Sequence, residues 1–280
     1  MSTTIKIAKP DKPVKANKVA TTQPSEEDAV LASKYQQKTD KQHILDNPDT
    51  YVGSVENVDA DMWLLDPDNA RIAHTSIEYI PALYKLFDEG IVNCRDHAIR
   101  MAQACAAKEE GAIPVTNIDI TIADDGTITM YNDGNGIDVA KHPEYDVWIP
   151  ELIFGHLRTS TNYDKTEEKI VGGKNGFGFK LVLIWSTHGT VETVDHKRGL
   201  KYTQAFHDNL NVIDVPVITK CKNKPYTRIT FKPDYARLGT DGLCPHMVNL
   251  FKRRIYDVAA MTAREVRVKC NSVNVPVRTF

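Results

Sequence analysis

The stretch VGGKNGFGFKL, residues 171–181, is the densest glycine run in the chain and carries Lys174 and Lys180. Glycine lets backbone N–H groups approach phosphate oxygens that a Cβ would hold off. The run is not a P-loop: Gly173 and Gly178 have the right spacing, but Phe179 and Lys180 follow where Lys and Ser/Thr are required. It is not a dinucleotide fingerprint either, because Leu181 stands in place of the third glycine. Upstream, Glu89, Asn93 and His97 fall at i, i+4 and i+8, so a helix there would place them on one stripe. A carboxylate can orient and deprotonate water, and an amide oxygen is a hard ligand suited to Mg²⁺. Gly90 costs about 1 kcal/mol relative to Ala in a helix interior, a penalty that close approach of another group would explain. In NDGNG (132–136), Asn132 or Asp133 can accept from a purine amino group while Gly134 and Gly136 admit a flat ring to the backbone. RTSTN (158–162) offers two hydroxyls and an amide suited to ribose and phosphate oxygens. Each feature alone has a plainer reading: a solvated helix face, a turn, an N-cap, a flexible surface loop.

The elements that must position these residues follow from periodicity. Over 79–107, Leu83, Leu86, Phe87, Ile91, Cys94, Ala98, Met101 and Cys105 recur at three- and four-residue steps, which predicts an amphipathic helix. NIDITI (117–122) and TITMYN (127–132) flank Asp124-Asp125-Gly126 and read as a β-hairpin. A short helix is expected around 148–157, and FKLVLIWSTHG, from Phe179 on, reads as a helix whose N-terminus faces the glycine run. Strands are expected near 190–195, 200–206 and 226–232, a long helix at 243–262, and a final strand pair in EVRVKC and VPVRTF. HILDNPDTYVGSVE (43–56) reads as turn-rich, with Asn47-Pro48 as a breaker. Mixed strands with helices gathered around them predict an α+β two-layer arrangement.

The 280 residues suffice for one large domain with appendages, and 41% hydrophobic with 26% charged content is ordinary for a globular protein. A formal net charge of −2 excludes a whole-domain electrostatic clamp on nucleic acid. No membrane span or signal-peptide pattern is present, and the reading is soluble and intracellular. Cys94, Cys105, Cys221, Cys244 and Cys270 are odd in number and never in CxxC spacing, which favours reduced thiols over a disulfide frame or zinc site. Residues 1–30 read as a disordered tail. The five lysines against one aspartate in its first twenty residues leave a nuclear-import or acidic-surface role beside the plainer reading of solvated charge.

The order of the pieces is more specific than any one of them. Through PDTYVGSVE, LYKLFDEGIVN, YNDGNGI, WIPELIFGHLRTSTNYD and VGGKNGFGFKL, continuing in YTRITFKPD and RRIYDVA, the chain resembles the ATPase domain of type IIA DNA topoisomerases, eukaryotic and large-virus branch. That domain belongs to the gyrase, chaperone, histidine-kinase and mismatch-repair (GHKL) superfamily. The resemblance covers about residues 35–280 and implies the superfamily's fold, an α+β two-layer sandwich with a mixed sheet and helices on one face. It implies ATP and Mg²⁺ as cofactors, Glu89 as general base and Asn93 as metal ligand. Asn132, with Asp133 beside it, would read adenine. Ser160, Thr161 and Asn162 would contact ribose and phosphate. Gly173, Lys174, Asn175, Gly176, Phe177, Gly178, Phe179 and Lys180 would form a lid around the triphosphate. Tyr51 would lie on a strap that reaches the partner protomer's ATP site. His97 stands where the family has an acid or an amide, Lys174 where an arginine is common, and Phe177 where a tyrosine is common.

The implied organisation is a tail (1–33), a strap and dimerisation segment (34–75), the ATPase domain (76–270) and a connection to a transducer domain (271–280). The implied activity is ATP-driven duplex passage that relaxes or decatenates DNA, by a homodimer acting on double-stranded DNA in the nucleus or at a viral replication site. The chain itself is expected to be a piece of a longer enzyme with little turnover alone. Another GHKL ATPase, of chaperone or mismatch-repair type, and a non-hydrolysing ATP-switched dimerisation module remain the alternatives.

Overall fold

The computed structural model describes residues 39–66, 71–157 and 178–277. The described residues belong to one compact unit. Its first helices are α1 (Asp40–Asp46), capped by the Thr39 hydroxyl on the Gln42 N–H, and α2 (Pro48–Tyr51). The stretch expected to be turn-rich is therefore largely helical. Pro48 does break the chain, but as the first residue of α2, where its missing N–H has no helical partner to lose. Ile44 and Val52 anchor the segment in the core.

Strands β1 (Val58–Asp66) and β2 (Arg71–Tyr79) form a separate antiparallel pair, in register from Val58 opposite Tyr79 to Asp66 opposite Arg71. Position 75, the expected end of the strap, falls inside β2. The long helix α3 (Pro81–Ala106) matches the expected one and begins on Pro81. Strands β3 (Asn117–Ile122) and β4 (Ile128–Asp133) form the expected hairpin, with Ile118 opposite Asn132. The short helix α4 (Ile149–Gly155) precedes the undescribed 158–177.

Helix α5 (Gly178–Ile184) is shorter than expected. Trp185 closes its last turn, the Ser186 hydroxyl donates to the Val182 carbonyl at 2.6 Å, and the chain turns directly into β5 (Ser186–Asp195). The β-branched run STHGTVETVD favours strand over helix there. Then come β6 (Leu200–His207), β7 (Val212–Ile213), β8 (Val217–Lys220), β9 (Tyr226–Pro233), α6 (Pro245–Met261), β10 (Arg267–Cys270) and β11 (Val273–Asn274). The last described strand is thus Val273–Asn274 rather than VPVRTF, part of which lies beyond the described residues.

The described strands β3 to β11 make one sheet ordered β11-β10-β3-β4-β9-β5-β6-β7, with β8 also paired to β6. It is mixed, because β10 runs parallel to β3 while the other pairs are antiparallel. Ile118, Ile120, Ile122, Ile128 and Met130 alternate inward against the helices. Phe87 of α3 stacks on Phe251 of α6 with centroids 4.0 Å apart. The β1–β2 pair packs Leu64 and Ile77 onto Leu250 of α6. The α+β arrangement with helices on one face of a mixed sheet is as expected.

Candidate active site

Helix α3 buries Leu83, Leu86, Phe87, Ile91, Cys94 and Ala98, which turns Glu89, Asn93 and His97 to the flank of the apolar face. Asn93 Nδ2 donates to the Glu89 carbonyl at 2.7 Å, and Asn93 Oδ1 has no hydrogen-bond partner among the described residues. Glu89 Oε1 lies 2.5 Å from Lys85 Nζ, one turn earlier. The first residue of α5 arrives at this pair. A Cβ built on Gly178 would sit 3.6 Å from Glu89 Oε2 and 3.9 Å from Asn93 Nδ2. The sheet and α3 thus bring the end of the glycine run, the carboxylate and the amide to one point.

Gly90 meets the close approach expected of it. A Cβ there would lie 2.2 Å from Met130 Sδ and 3.1 Å from Phe179, so the close approach is by β4 and α5 of the chain itself. Phe179 likewise belongs to the core, edge-on to Phe154 and Phe231 at 5.7 Å. With its ring committed there, any part of Phe179 in a lid would fall to its backbone. Lys180 is 4% exposed, and burial pushes its ammonium down to about 8. Helix α5 is buried all round, as its composition requires.

The turn after β4 is rigid. Asp133 Oδ1 accepts from the Thr116 and Asn117 N–H groups at 2.7 and 2.8 Å, and Oδ2 accepts from the Thr116 hydroxyl at 2.5 Å. This carboxylate is occupied in holding the start of β3. Asn132 is buried, with Nδ2 donating to the Asp133 carbonyl at 3.0 Å. The glycines of the turn do not open space for a flat ring. A Cβ on Gly134, at φ +90°, would lie 2.7 Å from Val115 Cγ2, and one on Gly136 would lie 2.0 Å from the Val194 carbonyl oxygen. His97 Nε2 donates to the Asn135 carbonyl at 2.9 Å, and Asn135 Oδ1 accepts from the Ile113 N–H. Burial first, then Arg100, holds the His97 ring down to about 4 against the opposing pull of the Asn135 bond and Asp133. His97 is therefore neutral and tied to the turn.

Two residues on β5 were not foreseen. The Thr193 hydroxyl accepts from the Ile137 N–H at 2.9 Å and donates to the Tyr226 carbonyl at 3.0 Å. The Asp195 carboxylate accepts from the Val139 N–H at 2.9 Å. Asn132, Thr227 and Thr193 stand in register across β4, β9 and β5. They put a polar row on the inward face of the sheet beside the turn. The signal was present in sequence as two polar residues sharing the parity of buried Val191.

Tyr51 sits on α2 with its hydroxyl 3.0 Å from His43 Nδ1 and its ring against the chain's own core. Ser160, Thr161, Asn162, Gly173, Lys174, Asn175, Gly176, Phe177 and the tail 1–33 lie outside the described residues. The five cysteines are free. Among the described residues, no helix is long and apolar enough to cross a membrane.

An acid–amide helix meeting a glycine-rich segment beside a mixed sheet defines an ATPase class, and the comparisons agree. The family model for the histidine kinase-, DNA gyrase B-, and HSP90-like ATPase matches residues 79–237, and the chain belongs to that family. It is 44% identical over 240 residues to the DNA topoisomerase 2 of Acanthamoeba polyphaga mimivirus, covering 84% of this chain and 18% of that protein. To the DNA topoisomerase 2 of Saccharomyces cerevisiae it is 38% identical over 258 residues, 91% of this chain and 17% of the relative. The solved ATPase region of Saccharomyces cerevisiae topoisomerase II superposes with a TM-score of 0.82 at 38% identity, over 89% of this chain and 64% of that one. The ATPase and transducer domains of DNA topoisomerase II from Balamuthia mandrillaris give 0.79 at 40% identity, over 88% and 61%. The chain spans less than a fifth of the length of these two curated relatives.

Proposed function

We propose that this chain is the ATP-binding and ATP-hydrolysing gate of a type IIA DNA topoisomerase, the part that couples nucleotide to passage of one duplex through another. The observation that carries the reading is the meeting of Gly178 with Glu89 and Asn93. The end of a glycine-rich lid lies against a carboxylate able to take a proton from water and an amide able to hold a cation. Glu89 acts as general base, kept in place by Lys85. Asn93 holds Mg²⁺ through Oδ1, its orientation fixed by the bond from Nδ2 to the helix backbone. The cation would neutralise charge on the transferring phosphoryl group. Asn132 accepts from adenine, and Thr193 completes the polar row beside it. Ser160, Thr161, Asn162, Gly173, Lys174, Asn175, Gly176 and Phe177 contact ribose and phosphates, and Lys180 supplies a cation at the start of α5.

Tyr51 and the strap act in a homodimer. Because Tyr51 is held by His43 and the core, reaching a partner's site requires that contact to open. Double-stranded DNA is engaged by the longer enzyme, in the nucleus or at a viral replication site. The similarity to DNA topoisomerase 2 of a large virus, fungi and plants supports this reading over a chaperone or mismatch-repair ATPase.

The test is Glu89→Gln. It is expected to preserve ATP binding and cut turnover about 10²–10⁴-fold, the usual worth of a positioned general base, or about 3–5 kcal/mol of barrier. Single-turnover assays read the step even when steady-state turnover is slow. Hydrolysis within threefold of the unaltered chain would remove Glu89 from the role, and an absence of ATP binding by the unaltered chain would remove the site.

A further inference from the structure

Away from this site, on the sheet face opposite the helices, His188 of β5 and His207 of β6 stand directly opposite each other in register. Their Nδ1 atoms are 3.1 Å apart. His207 Nε2 lies 3.1 Å from Asp214 Oδ2, and His188 Nε2 lies 3.1 Å from Thr190 Oγ1. A carboxylate accepts only from Nε2–H, so the neutral His207 ring presents a lone pair at Nδ1. In the metal-free chain the His188 Nδ1–H donates to it, and the Thr190 hydroxyl donates to His188 Nε2.

The rings are not aimed head-on. Two imidazoles sharing a linear N–H···N bond of this length would hold their centroids about 5.4 Å apart. The observed centroids are 4.8 Å apart with planes at 48°. Both separations fit a common point about 2.05 Å from each Nδ1 with an angle there of about 98°, the bond length of a zinc–imidazole contact. The arrangement is a bent hydrogen bond and a well-shaped two-nitrogen chelate.

We propose that His188 and His207 form a cross-strand binding site for a borderline divalent cation of the zinc, nickel or copper class. The outer atoms are already those that metal-bound histidines use, a carboxylate behind one ring and a hydroxyl behind the other. Binding needs one tautomeric change and no net proton loss: the His188 proton moves from Nδ1 to Nε2, and the Thr190 hydroxyl turns from donor to acceptor. Imidazole nitrogens select these metals over Mg²⁺, which keeps the site separate from nucleotide chemistry. Among the described residues no cluster of three or more His, Cys, Asp or Glu is placed to hold a metal. The two rings are therefore this site's ligands and water completes the shell. A bound cation would clamp β5 to β6 near the start of β5, just past α5.

Calorimetric titration of the whole chain with zinc chloride, in excess Mg²⁺, is expected to show one site. H188Q and H207Q should each abolish it, and D214N should weaken it about 10–100-fold, the usual effect of removing such an outer partner. N93A should leave it unchanged. No binding, or binding that survives both histidine variants, overturns the proposal. Copper(II) electron paramagnetic resonance on the unaltered chain gives a reading independent of variant folding. Coupling to two imidazole nitrogens is expected; coupling to one or none overturns the assignment.

Discussion

Lys180 gives the sharpest test of how the site trades stability for binding. Its ammonium is brought from 10.5 to about 8 by burial. At about 1.4 kcal/mol per pK unit, carrying that charge inside the folded chain costs up to ~3 kcal/mol at pH 7. The sign follows from linkage: between pH 8 and 10.5 the unfolded chain keeps a proton that the folded chain has released, so this group makes stability rise with pH across that window. Lys180→Met keeps the volume and removes the charge. In a domain of this size 1 kcal/mol moves Tm by about 2–4 °C, so the variant is expected to melt several degrees higher without nucleotide and to lose the rise above pH 8. If Lys180 meets the triphosphate, ATP binding restores its proton. Calorimetry of ATP binding at pH 8, in buffers of different ionisation enthalpy, should then show uptake of roughly half a proton per ATP. That uptake should be absent at pH 6.5 and absent in Lys180→Met, which should also bind ATP at least tenfold more weakly. An unchanged Tm, with no proton uptake and full ATP affinity, would refute both the buried charge and its role.

Asn93→Ala should weaken Mg²⁺-ATP far more than metal-free ATP, because a hard oxygen ligand is lost; equal weakening in titrations with and without Mg²⁺ would make the residue structural. Gly136→Ala should be worse than Gly90→Ala by 2 kcal/mol or more in chemical denaturation. The new methyl at 136 meets a backbone carbonyl at 2.0 Å, whereas the one at 90 meets the flexible end of Met130 and gains about 1 kcal/mol of helix propensity. For His97, with its ring held to about 4 against an ordinary 6.5, stability present above pH 6.5 is lost as pH falls toward 4, by up to ~3 kcal/mol, since the unfolded chain takes up a proton the folded chain refuses. Denaturation curves of His97→Asn should lack that loss; parallel pH profiles would show that His97 does not sense the window.

What the sequence disclosed and what it hid divide along contact range. Helix α3 was legible because 26 residues repeat one apolar spacing and begin on a proline, and β3–β4 because alternation and an Asp-Gly turn are local signals. The β1–β2 pair was missed because its strands do not alternate cleanly: Leu64 and Leu65 are adjacent and both buried, while Trp63 is exposed beside His74. That Glu89 and Asn93 share one flank of α3 was legible from spacing alone. The purposes of Gly90, Gly134, Gly136 and Asp133 were not, because each answers to an atom supplied from elsewhere in the fold: Met130, Val115, the Val194 carbonyl, and the backbone at Thr116 and Asn117. A sequence shows that a glycine is required but not which neighbour requires it. At this site the neighbours are the protein's own, so the turn around Asn132 is fixed before any ligand arrives. That preorganisation predicts where ligand-induced movement must lie: not in the β4 turn, whose groups are already bonded to β3, α3 and β5, but on the side of Glu89 and Asn93, where Asn93 remains exposed and the glycine run enters α5.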